Sequence, residues 1–307
     1  MIADWVAASV RARGMVQRRM GQGGCDRLAA CHDFDSAAAL LEGSVYGDRL
    51  SGVSTLGEAQ RAVNESVLWQ FRVLAGWMPA SGTQLVAAAV AGFEAHNIVA
   101  LSQGLSGRAE SPAPYELGAL ATAWPTVRTA TSLTDLSIAL RESRWGDVGT
   151  LSDPDDLADI LTAAWLQRLM TVAPAARPWV VRAFVLIASR ILVVDHTTPS
   201  ARFLQIVRPS IADSWPSAHD LTGVAAALPR SARTVLDGVE SPTDLWRAEM
   251  RLVDTVETDA GRLLRGALPG ADVILGAIAL LAVDAWRVCA ALATAAADAG
   301  GSLDDVA

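Results

Sequence analysis

The feature of this sequence that most constrains its fold is an apolar helical pattern that returns three times. In each occurrence apolar residues recur at i, i+3 and i+4 spacing, which is typical of a helix that buries one face. The three occurrences cover residues 86–105, 179–194 and 276–292. They align without gaps when Asn97 is placed over Arg190 and Arg287, so the pattern returns every 93 to 97 residues. Self-similarity of this kind predicts a helical module that is used three times.

A second recurring pattern is a short capped helix that ends in a tight turn. In the first copy the turn is Tyr46-Gly47, and 99 residues later Trp145-Gly146 repeats it. The third copy has no aromatic–Gly turn. Two longer helical stretches follow each copy, so the predicted unit is a short capped helix, a turn and two long helices. The predicted caps of the short helices are Asp33 or Asp35, Ser132 and Asp220.

The composition sets the class of fold. Hydrophobic residues make up 51% of the 307 residues and charged residues 19%, which is the balance of a globular chain. Ala and Leu dominate and the alternation typical of strands is scarce, so we predict an all-α fold. The predicted domains are residues 1–114 for an N-terminal helix and the first repeat, 115–208 for the second repeat and 209–307 for the third.

Glycine, proline and serine mark the predicted ends of elements. The opening helix is predicted over residues 2–20, and the glycine cluster at 21–24 is predicted to end it. The Pro- and Ser-rich stretch 106–114 and the stretch 199–217, which holds two prolines, are predicted breaks between repeats.

Charge limits the partners that we expect. The formal net charge is −8, so the chain lacks the basic surface that nucleic acid or anionic lipid requires. All 25 basic residues are Arg, which leaves no Lys for Schiff-base chemistry. The N-terminal arm is a local exception, and we interpret it either as a site for an acidic partner or as a solvated helix face. Its arginines are Arg11, Arg13, Arg18, Arg19 and Arg27.

The cysteines and the most apolar stretch both favour a cytoplasmic chain. Three scattered Cys cannot all pair within one chain and indicate reduced thiols. The N-terminus has no signal-peptide layout. Asp284 and Arg287 interrupt the apolar stretch 271–292 and leave an uncharged run too short to span a bilayer, so we predict a buried helix.

The most specific candidate for chemistry is the sequence DDLAD, formed by Asp155, Asp156 and Asp159. It matches the DDxxD pattern with which all-helical isoprenoid and terpenoid synthases bind magnesium diphosphate. The same residues also make an ordinary helix start, in which Ser152 or Asp153 is the cap and acids complement the helix dipole. No second magnesium motif is seen, and no nucleotide-binding loop is present. The set Cys25, Cys31 and His32 lacks the spacing and the fourth ligand of a metal site.

Three segments, taken in order, resemble one family of components of the rotary V-type and A-type ATPases, the C subunit, which in eukaryotes is the d subunit. They are the N-terminal arginine-containing helix (Trp5, Ala8, Val10, Arg11, Arg13), the leucine-rich helix and turn (Leu40, Leu41, Glu42, Ser44, Tyr46, Gly47) and the signature helix (Glu94, Asn97, Ile98, Leu101). In the third copy Asp284 and Arg287 hold the acidic and polar positions of that signature. The chain departs from the family at Ser9, at Ser102-Gln103-Gly104 and at Ile187, which stands where the second copy should have an acid.

The resemblance implies a non-catalytic rotor subunit without cofactor, metal or small-molecule substrate. Its three pseudo-threefold-related helical repeats would form a funnel that receives the central stalk of the cytoplasmic ATPase head. The funnel would sit on the proteolipid ring and hold the chain on the cytoplasmic face of the membrane. Candidate partner contacts are Arg11, Arg13, Glu94, Asn97, Asp284 and Arg287. Two interpretations of the Glu94–Asn97 and Asp284–Arg287 pairs stay open, an i, i+3 surface pair or the lining of a socket. Beside the rotor subunit, the alternatives are a magnesium-dependent isoprenoid-type enzyme and a helical adaptor.

Overall fold

The computed structural model describes residues 2–108, 112–149 and 154–298, and within these residues every regular element is a helix. The predicted all-α class is confirmed. Short 3₁₀ turns connect several of the helices. The α-helices are α1 (Ile2–Gln17), α2 (Gly21–Ala29), α3 (Phe34–Glu42), α4 (Leu56–Ala75), α5 (Ala80–Leu105), α6 (Trp124–Val127), α7 (Leu133–Arg141), α8 (Pro154–Val172), α9 (Arg177–Val193), α10 (Ala201–Ile211), α11 (Leu221–Ala227), α12 (Arg230–Arg233), α13 (Leu245–Leu264) and α14 (Ala271–Asp298).

At three places along the chain a short capped helix precedes two long helices, and in the third the four-residue helix α12 lies between the short helix and the long ones. The short helices are α3, α7 and α11, and the long pairs are α4 with α5, α8 with α9, and α13 with α14. Each short helix begins at a side-chain cap, because Asp33, Ser132 and Asp220 accept a hydrogen bond from the backbone N–H three residues later. The funnel and the pseudo-threefold arrangement of the three units stay predictions.

The chain forms two compact units. Unit 1 contains the residues up to Val86 and those from Glu257 onward, and unit 2 runs from Ala87 to Val256. The two boundaries fall within α5 and α13. The predicted division into repeats at 114 and 208 is a different kind of boundary, drawn from sequence periodicity, and it stays a prediction.

In unit 1 the long helix α14 is the centre of the packing. It contacts α1, α2, α3 and α4. Its apolar side chains are almost all buried, among them Ile274, Leu281 and Val288. Burying an apolar helix on several sides removes a large non-polar area from water, which is the main favourable contribution to folding.

In unit 2 the core lies between α7, α8, α9, α10 and α11. Its largest buried side chains are Trp145, Phe184, Phe203 and Trp215. The rings of Phe203 and Trp215 meet edge to face, with centroids 6.4 Å apart at 88°. Such edge-to-face geometry places the positive rim of one ring on the negative face of the other.

The glycine cluster does not end the opening helix where the sequence predicted. Helix α1 ends at Gln17, and the cluster instead begins a second helix, α2. The cause is tertiary, since the backbone N–H groups of Met20 and Gly21 donate to the carboxylate of Asp284 on α14. An acceptor at this point satisfies the orphan donors of a helix start, which local glycine propensity cannot anticipate.

The predicted break at 199–217 is also partly wrong. It contains α10, whose start is capped by Ser200 and which tolerates Pro209 in its interior. Phe203, Ile206 and Val207 on this helix are buried. The burial of these residues outweighs the backbone hydrogen bond that Pro209 cannot donate to the carbonyl four residues earlier.

Two of the described helices are long and apolar enough to cross a membrane by length and composition alone. They are α5, with a mean hydropathy of 1.5 over its most apolar window, and the stretch Ala271–Ala297 of α14, with 2.0. In both windows 67% of the residues are buried inside the chain, as in the core helix of a folded domain. The uncharged run of α14 ends at Asp284, which is buried and hydrogen-bonded inside unit 1.

Candidate functional site

Glu94 is a fully buried carboxylate in the middle of α5, and only 1% of the residue is exposed. Its Oε1 accepts the backbone N–H groups of Thr122, Ala123 and Trp124 at 2.6, 2.8 and 2.9 Å. Its Oε2 accepts the Thr122 hydroxyl at 2.5 Å and the indole Nε1–H of Trp145 at 3.1 Å. The carboxylate therefore caps the start of α6 from a distant helix, and its charge is met by donors and by the helix dipole. We call this group of five residues the Glu94 node.

Asn97 lies one turn further along α5 and is also buried. Its side-chain oxygen accepts the N–H of Tyr115 at 2.7 Å, and its amide donates to the Tyr115 carbonyl at 3.0 Å. The Tyr115 ring in turn meets Phe93 edge to face, with centroids 5.1 Å apart. Asn97 thus holds the segment before α6 on α5 by a two-point bond. The interpretation of Glu94 and Asn97 as a surface pair is wrong, because both are buried and each has partners elsewhere in unit 2.

Asp284 has the corresponding place on α14 in unit 1, and 3% of the residue is exposed. Its Oδ2 accepts the N–H of Met20 at 3.0 Å and the hydroxyl of Tyr46 at 2.8 Å. Its Oδ1 accepts the N–H of Gly21 at 2.7 Å. The carboxylate caps the start of α2 and holds a buried phenol, as Glu94 caps α6 and holds a buried indole. We call these four residues the Asp284 node.

The aromatic residue of each node is presented by the same turn. In unit 1 the hydroxyl of Ser44 donates to the Leu41 carbonyl and accepts the N–H of Tyr46. In unit 2 the hydroxyl of Ser143 donates to the Leu140 carbonyl and accepts the N–H of Trp145. Because the serine fixes the backbone two residues later, each ring is directed inward by local hydrogen bonds.

A glycine closes both turns. A Cβ on Gly47 would lie 2.0 Å from the Glu42 carbonyl oxygen, and Gly146 has φ of +73°. Neither position accepts an L side chain without strain. The glycine of the aromatic–Gly pair that the sequence repeats is therefore required by the turn.

Arg287 and its aligned counterpart Arg190 both pair with the helix that precedes their own. Arg287 on α14 contacts Glu257 of α13 at 2.6 Å, and Arg190 on α9 contacts Asp159 of α8 at 2.5 Å. Arg190 also pairs with Asp195 just beyond the end of α9. The side chain of Arg287 is only 15% exposed, so its pair is better shielded from water than a surface ion pair.

The two N-terminal arginines have different environments. Arg13 donates to the carbonyls of Leu264 and Gly266 at 3.2 and 2.8 Å, so it caps the C-terminus of α13, where a cation is favoured by the helix dipole. Arg11 is exposed and lies over the ring of Trp77, 5.1 Å from its centroid. Of these two predicted partner residues, Arg13 has an internal role and Arg11 faces solvent.

The thiol beside the Asp284 node is poorly acidic. Burial raises the pKa of Cys25 to about 11, and the carboxylate of Asp284 adds to the rise. Burial also raises the pKa of Cys289 to about 12. The hydroxyl of Tyr46 stays protonated, since burial and the neighbouring Asp284 both raise its pKa. Such groups donate or pack and are not nucleophiles at neutral pH.

Asp159 and Asp156 of the DDxxD-like sequence have different surroundings. Asp159 is engaged by Arg190, and burial raises the pKa of its carboxyl to about 6 although the guanidinium opposes the shift. Asp156 is exposed. Among the described residues no three His, Cys, Asp or Glu side chains are grouped as a metal site would require. The predicted caps Ser152 and Asp153 and the side chain of Asp155 lie outside the described residues.

Comparison with known proteins adds no family name. No protein-family model matches the chain, and no curated protein matches it. The resemblance to the rotary ATPase component stays a prediction that is drawn from the residues and the repeat order quoted above.

The repeats align Glu94 with Asp284 and Tyr46 with Trp145, but the alignment does not connect the acids with the aromatics. The signal was present, because an acid in an otherwise apolar helix needs donors once the helix is buried. An aromatic N–H or O–H on a turn that recurs with the acid is such a donor. The backbone N–H donors of α2 and α6 cannot be recognised from the sequence, because almost every residue type has one.

Proposed function

We propose that this chain is a non-catalytic rotor subunit that couples the central stalk of a V/A-type ATPase head to the proteolipid ring. Three helical repeats around a pseudo-threefold axis, in the form of a funnel, would be the coupling body. The observation that carries the proposal is the order in which the two nodes join the predicted repeats.

That order supports a ring of repeats. Glu94 belongs to the first repeat and its donors, Thr122 to Trp124 and Trp145, belong to the second. Asp284 belongs to the third repeat and its donors belong to the first. A long helix of one repeat thus holds the short-helix region of the next, and the third repeat holds the first. A contact between the last repeat and the first is expected when repeats surround an axis. In an open array each repeat contacts only its neighbours in sequence.

The remaining contact, between the second predicted repeat and the third, has neither the buried acid nor the aromatic–Gly turn. Ile187 replaces the acid on α9, and no aromatic–Gly turn follows α11. Helix α9 nevertheless contacts α11 and α12, and Ile187 packs with the apolar core there. An apolar contact at this join is consistent with the same arrangement.

The buried polar groups suit a rigid coupling body. Close-packed interiors have low compressibility and transmit strain. Fully satisfied buried networks add rigidity and fix one arrangement of the helices. The candidate residues Glu94, Asn97 and Asp284 use their hydrogen bonds inside the chain, and their proposed part in coupling is to hold the walls of the socket. Arg11 is the exposed candidate for direct contact with a partner.

The proposal is tested by deleting the gene in its host and measuring ATP hydrolysis and ion transport separately. We expect the ATPase head to hydrolyse ATP while ion transport in membrane vesicles is lost. Re-expression of the natural chain should restore transport. Loss of hydrolysis by the isolated head, or transport that continues without the chain, would refute the coupling role.

The enzyme alternative is tested on the purified chain. We expect no diphosphate release from prenyl diphosphates with Mg²⁺, whether the chain is natural or carries Asp156→Asn. Turnover that Asp156→Asn abolishes would replace the coupling proposal with an isoprenoid-type activity.

A further inference from the structure

One face of α1 forms, with Trp77, an open cleft of about 670 Å³ in unit 1. We call it the α1 cleft. It lies on the arm whose arginines the sequence singled out, and the internal hydrogen bonds of Arg13 do not use it. The lining residues are Ala7, Val10, Arg11, Gly14, Gln17, Arg18 and Trp77.

The spacing of the lining residues on α1 is that of a coiled-coil seam. Ala7, Val10, Gly14 and Gln17 follow one another at intervals of three, four and three residues, which are the a and d positions of a heptad. Knobs of a second helix insert between such residues. The seam is open at Gly14, because apart from its chain neighbours and the backbone of α1 no atom lies within 4 Å of a Cβ built there.

The seam exposes apolar surface that the rest of unit 1 does not cover. Val10 is 64% exposed and Trp77 is 47% exposed. Trp77 is held in place by the guanidinium of Arg11 over its ring. An exposed, pre-positioned tryptophan beside an arginine is the composition of a binding hot spot.

The charges beside the seam decide which partner fits. Arg11 and Arg18 each follow a d position, so both are e residues, where coiled coils make ion pairs with the partner helix. Neither arginine makes an ion pair with a carboxylate among the described residues. The whole chain has a net charge of −8, so these two cations, one heptad apart on the seam, form a local patch of opposite sign.

We propose that the α1 cleft binds an amphipathic helix of a partner protein whose edge is acidic. The apolar side of that helix packs on Val10 and Trp77 and between the small residues of the seam. Its Glu or Asp side chains pair with Arg11 and Arg18. The inference rests on the proposed function only in taking the partner to be another component of the same complex.

The test uses the full chain and two synthetic helices as probes. Both are 21-residue peptides with Leu at a and d and Ala or Gln at b, c and f. One carries Glu at e and g and the other carries Arg there, so that neither pairs with itself. Binding is followed by fluorescence anisotropy at low ionic strength. We expect the Glu peptide to bind and the Arg peptide to bind at least tenfold more weakly.

Charge reversal in the cleft sharpens the test. The double variant Arg11→Glu/Arg18→Glu should weaken the Glu peptide at least tenfold and strengthen the Arg peptide. Arg27→Glu on the exposed face of α2 is the matched control and should leave both affinities unchanged. Circular dichroism of each variant shows whether the helices remain folded.

Three results would overturn the inference. They are no binding of the Glu peptide, equal binding of both peptides, and an equal loss with Arg27→Glu. A dimer of the chain that Arg11→Glu/Arg18→Glu dissociates would also overturn it, because the occupant would then be a second copy. If the peptides behave as expected but deletion leaves transport intact, the cleft stands and the rotary ATPase proposal fails.

Discussion

The Glu94 node in unit 2 and the Asp284 node in unit 1 both provide hydrogen-bond donors to a buried carboxylate, but with different side chains. In both, a carboxylate inside an apolar helix caps another helix and accepts a hydrogen bond from a buried ring. Glu94 reaches three successive backbone N–H groups, a hydroxyl and an indole. Asp284 reaches two N–H groups and a phenol. The comparison shows that the donor–acceptor relation is kept while the residues that provide it change.

In the alignment, Ile187 stands where the first and third copies have an acid, and no aromatic–Gly turn follows α11. A buried acid without donors, or a buried donor without an acceptor, costs free energy, whereas replacing both by apolar groups can be neutral. The pair is therefore expected to persist or disappear as a unit.

Removing each carboxylate is the strongest way to test whether the nodes are equivalent. Glu94→Ala leaves three buried or partly buried N–H groups and a buried indole without an acceptor, and we expect it to cost about 4 kcal/mol. Asp284→Ala leaves fewer donors and should cost about 3 kcal/mol. Native-state hydrogen exchange gives the values for each unit, read at core amides that keep their acceptors, Phe184 in unit 2 and Ile274 in unit 1.

The matched controls for these substitutions are Glu142→Ala in unit 2 and Asp26→Ala in unit 1, both at exposed positions. They should change stability by less than about 0.5 kcal/mol. Equal effects at buried and exposed acids would mean that the nodes contribute nothing beyond charge.

Asp159 provides a contrast, because its carboxylate faces a cation and not N–H groups. Its pKa of about 6 lies above the value of an unfolded Asp, so the folded chain retains a proton that the unfolded chain releases. Its contribution to stability is thus complete below about pH 4 and is lost as the pH rises through 6, on the order of 3 kcal/mol in total. Asp159→Asn should remove this pH dependence in urea titrations of unfolding. An unchanged slope between pH 4 and 6 would assign the dependence to another group.

The ring donors can be compared by replacing each of them with phenylalanine, which has no polar hydrogen. Trp145 and Trp215 are both buried in unit 2, but only Trp145 has a partner for its indole N–H. Trp145→Phe should therefore cost about 2 kcal/mol more than Trp215→Phe, the worth of a hydrogen bond to a charged acceptor. Tyr46→Phe removes the equivalent bond in unit 1 and should cost about 2 kcal/mol. The three variants are ranked by chemical denaturation, and equal losses for the two tryptophans would contradict the assignment.

Thiol labelling gives the smallest effect and reports on unit 1 alone. At pH 8 we expect iodoacetamide to modify Cys31 in the folded chain and to leave Cys25 and Cys289 largely unreacted, because burial raises the pKa of both. Asp284→Ala should speed the labelling of Cys25, since it removes a negative charge that disfavours the thiolate. Mass spectrometry of the digested chain identifies the modified thiol. Faster labelling of Cys289 than of Cys25 in that variant would indicate general unfolding.

Much of the helical structure could be predicted from local patterns. The stripe of Val63, Val67 and Phe71 is buried on α4 as its 3.6-residue spacing indicates, and the caps Ser132 and Asp220 bond as their residue types favour. The predictions from local patterns were wrong at the start of α2 and at α10. At both places contacts with residues distant in the chain determine where the helix lies. A carboxylate 264 residues away determines how the backbone of Met20 is satisfied, and no local propensity contains that information.

The sequence predicted which residues of the candidate site are equivalent, but not which residues they contact. Repeat alignment placed Glu94 with Asp284 and Arg190 with Arg287, and the structure gives each pair similar partners. Periodicity shows which residues are equivalent, because equivalent residues have equivalent surroundings. It does not show which segment lies opposite them, since that depends on how the repeats pack.

The most direct measurement for the account is a double-mutant cycle within and between the nodes. Glu94→Gln and Trp145→Phe, combined, should show a coupling free energy of about 2 kcal/mol, and so should Asp284→Asn with Tyr46→Phe. Glu94→Gln combined with Tyr46→Phe should be additive to within about 0.5 kcal/mol. Additive effects within each node would contradict the claim that the buried carboxylate and its ring stabilise the fold through the hydrogen bond between them.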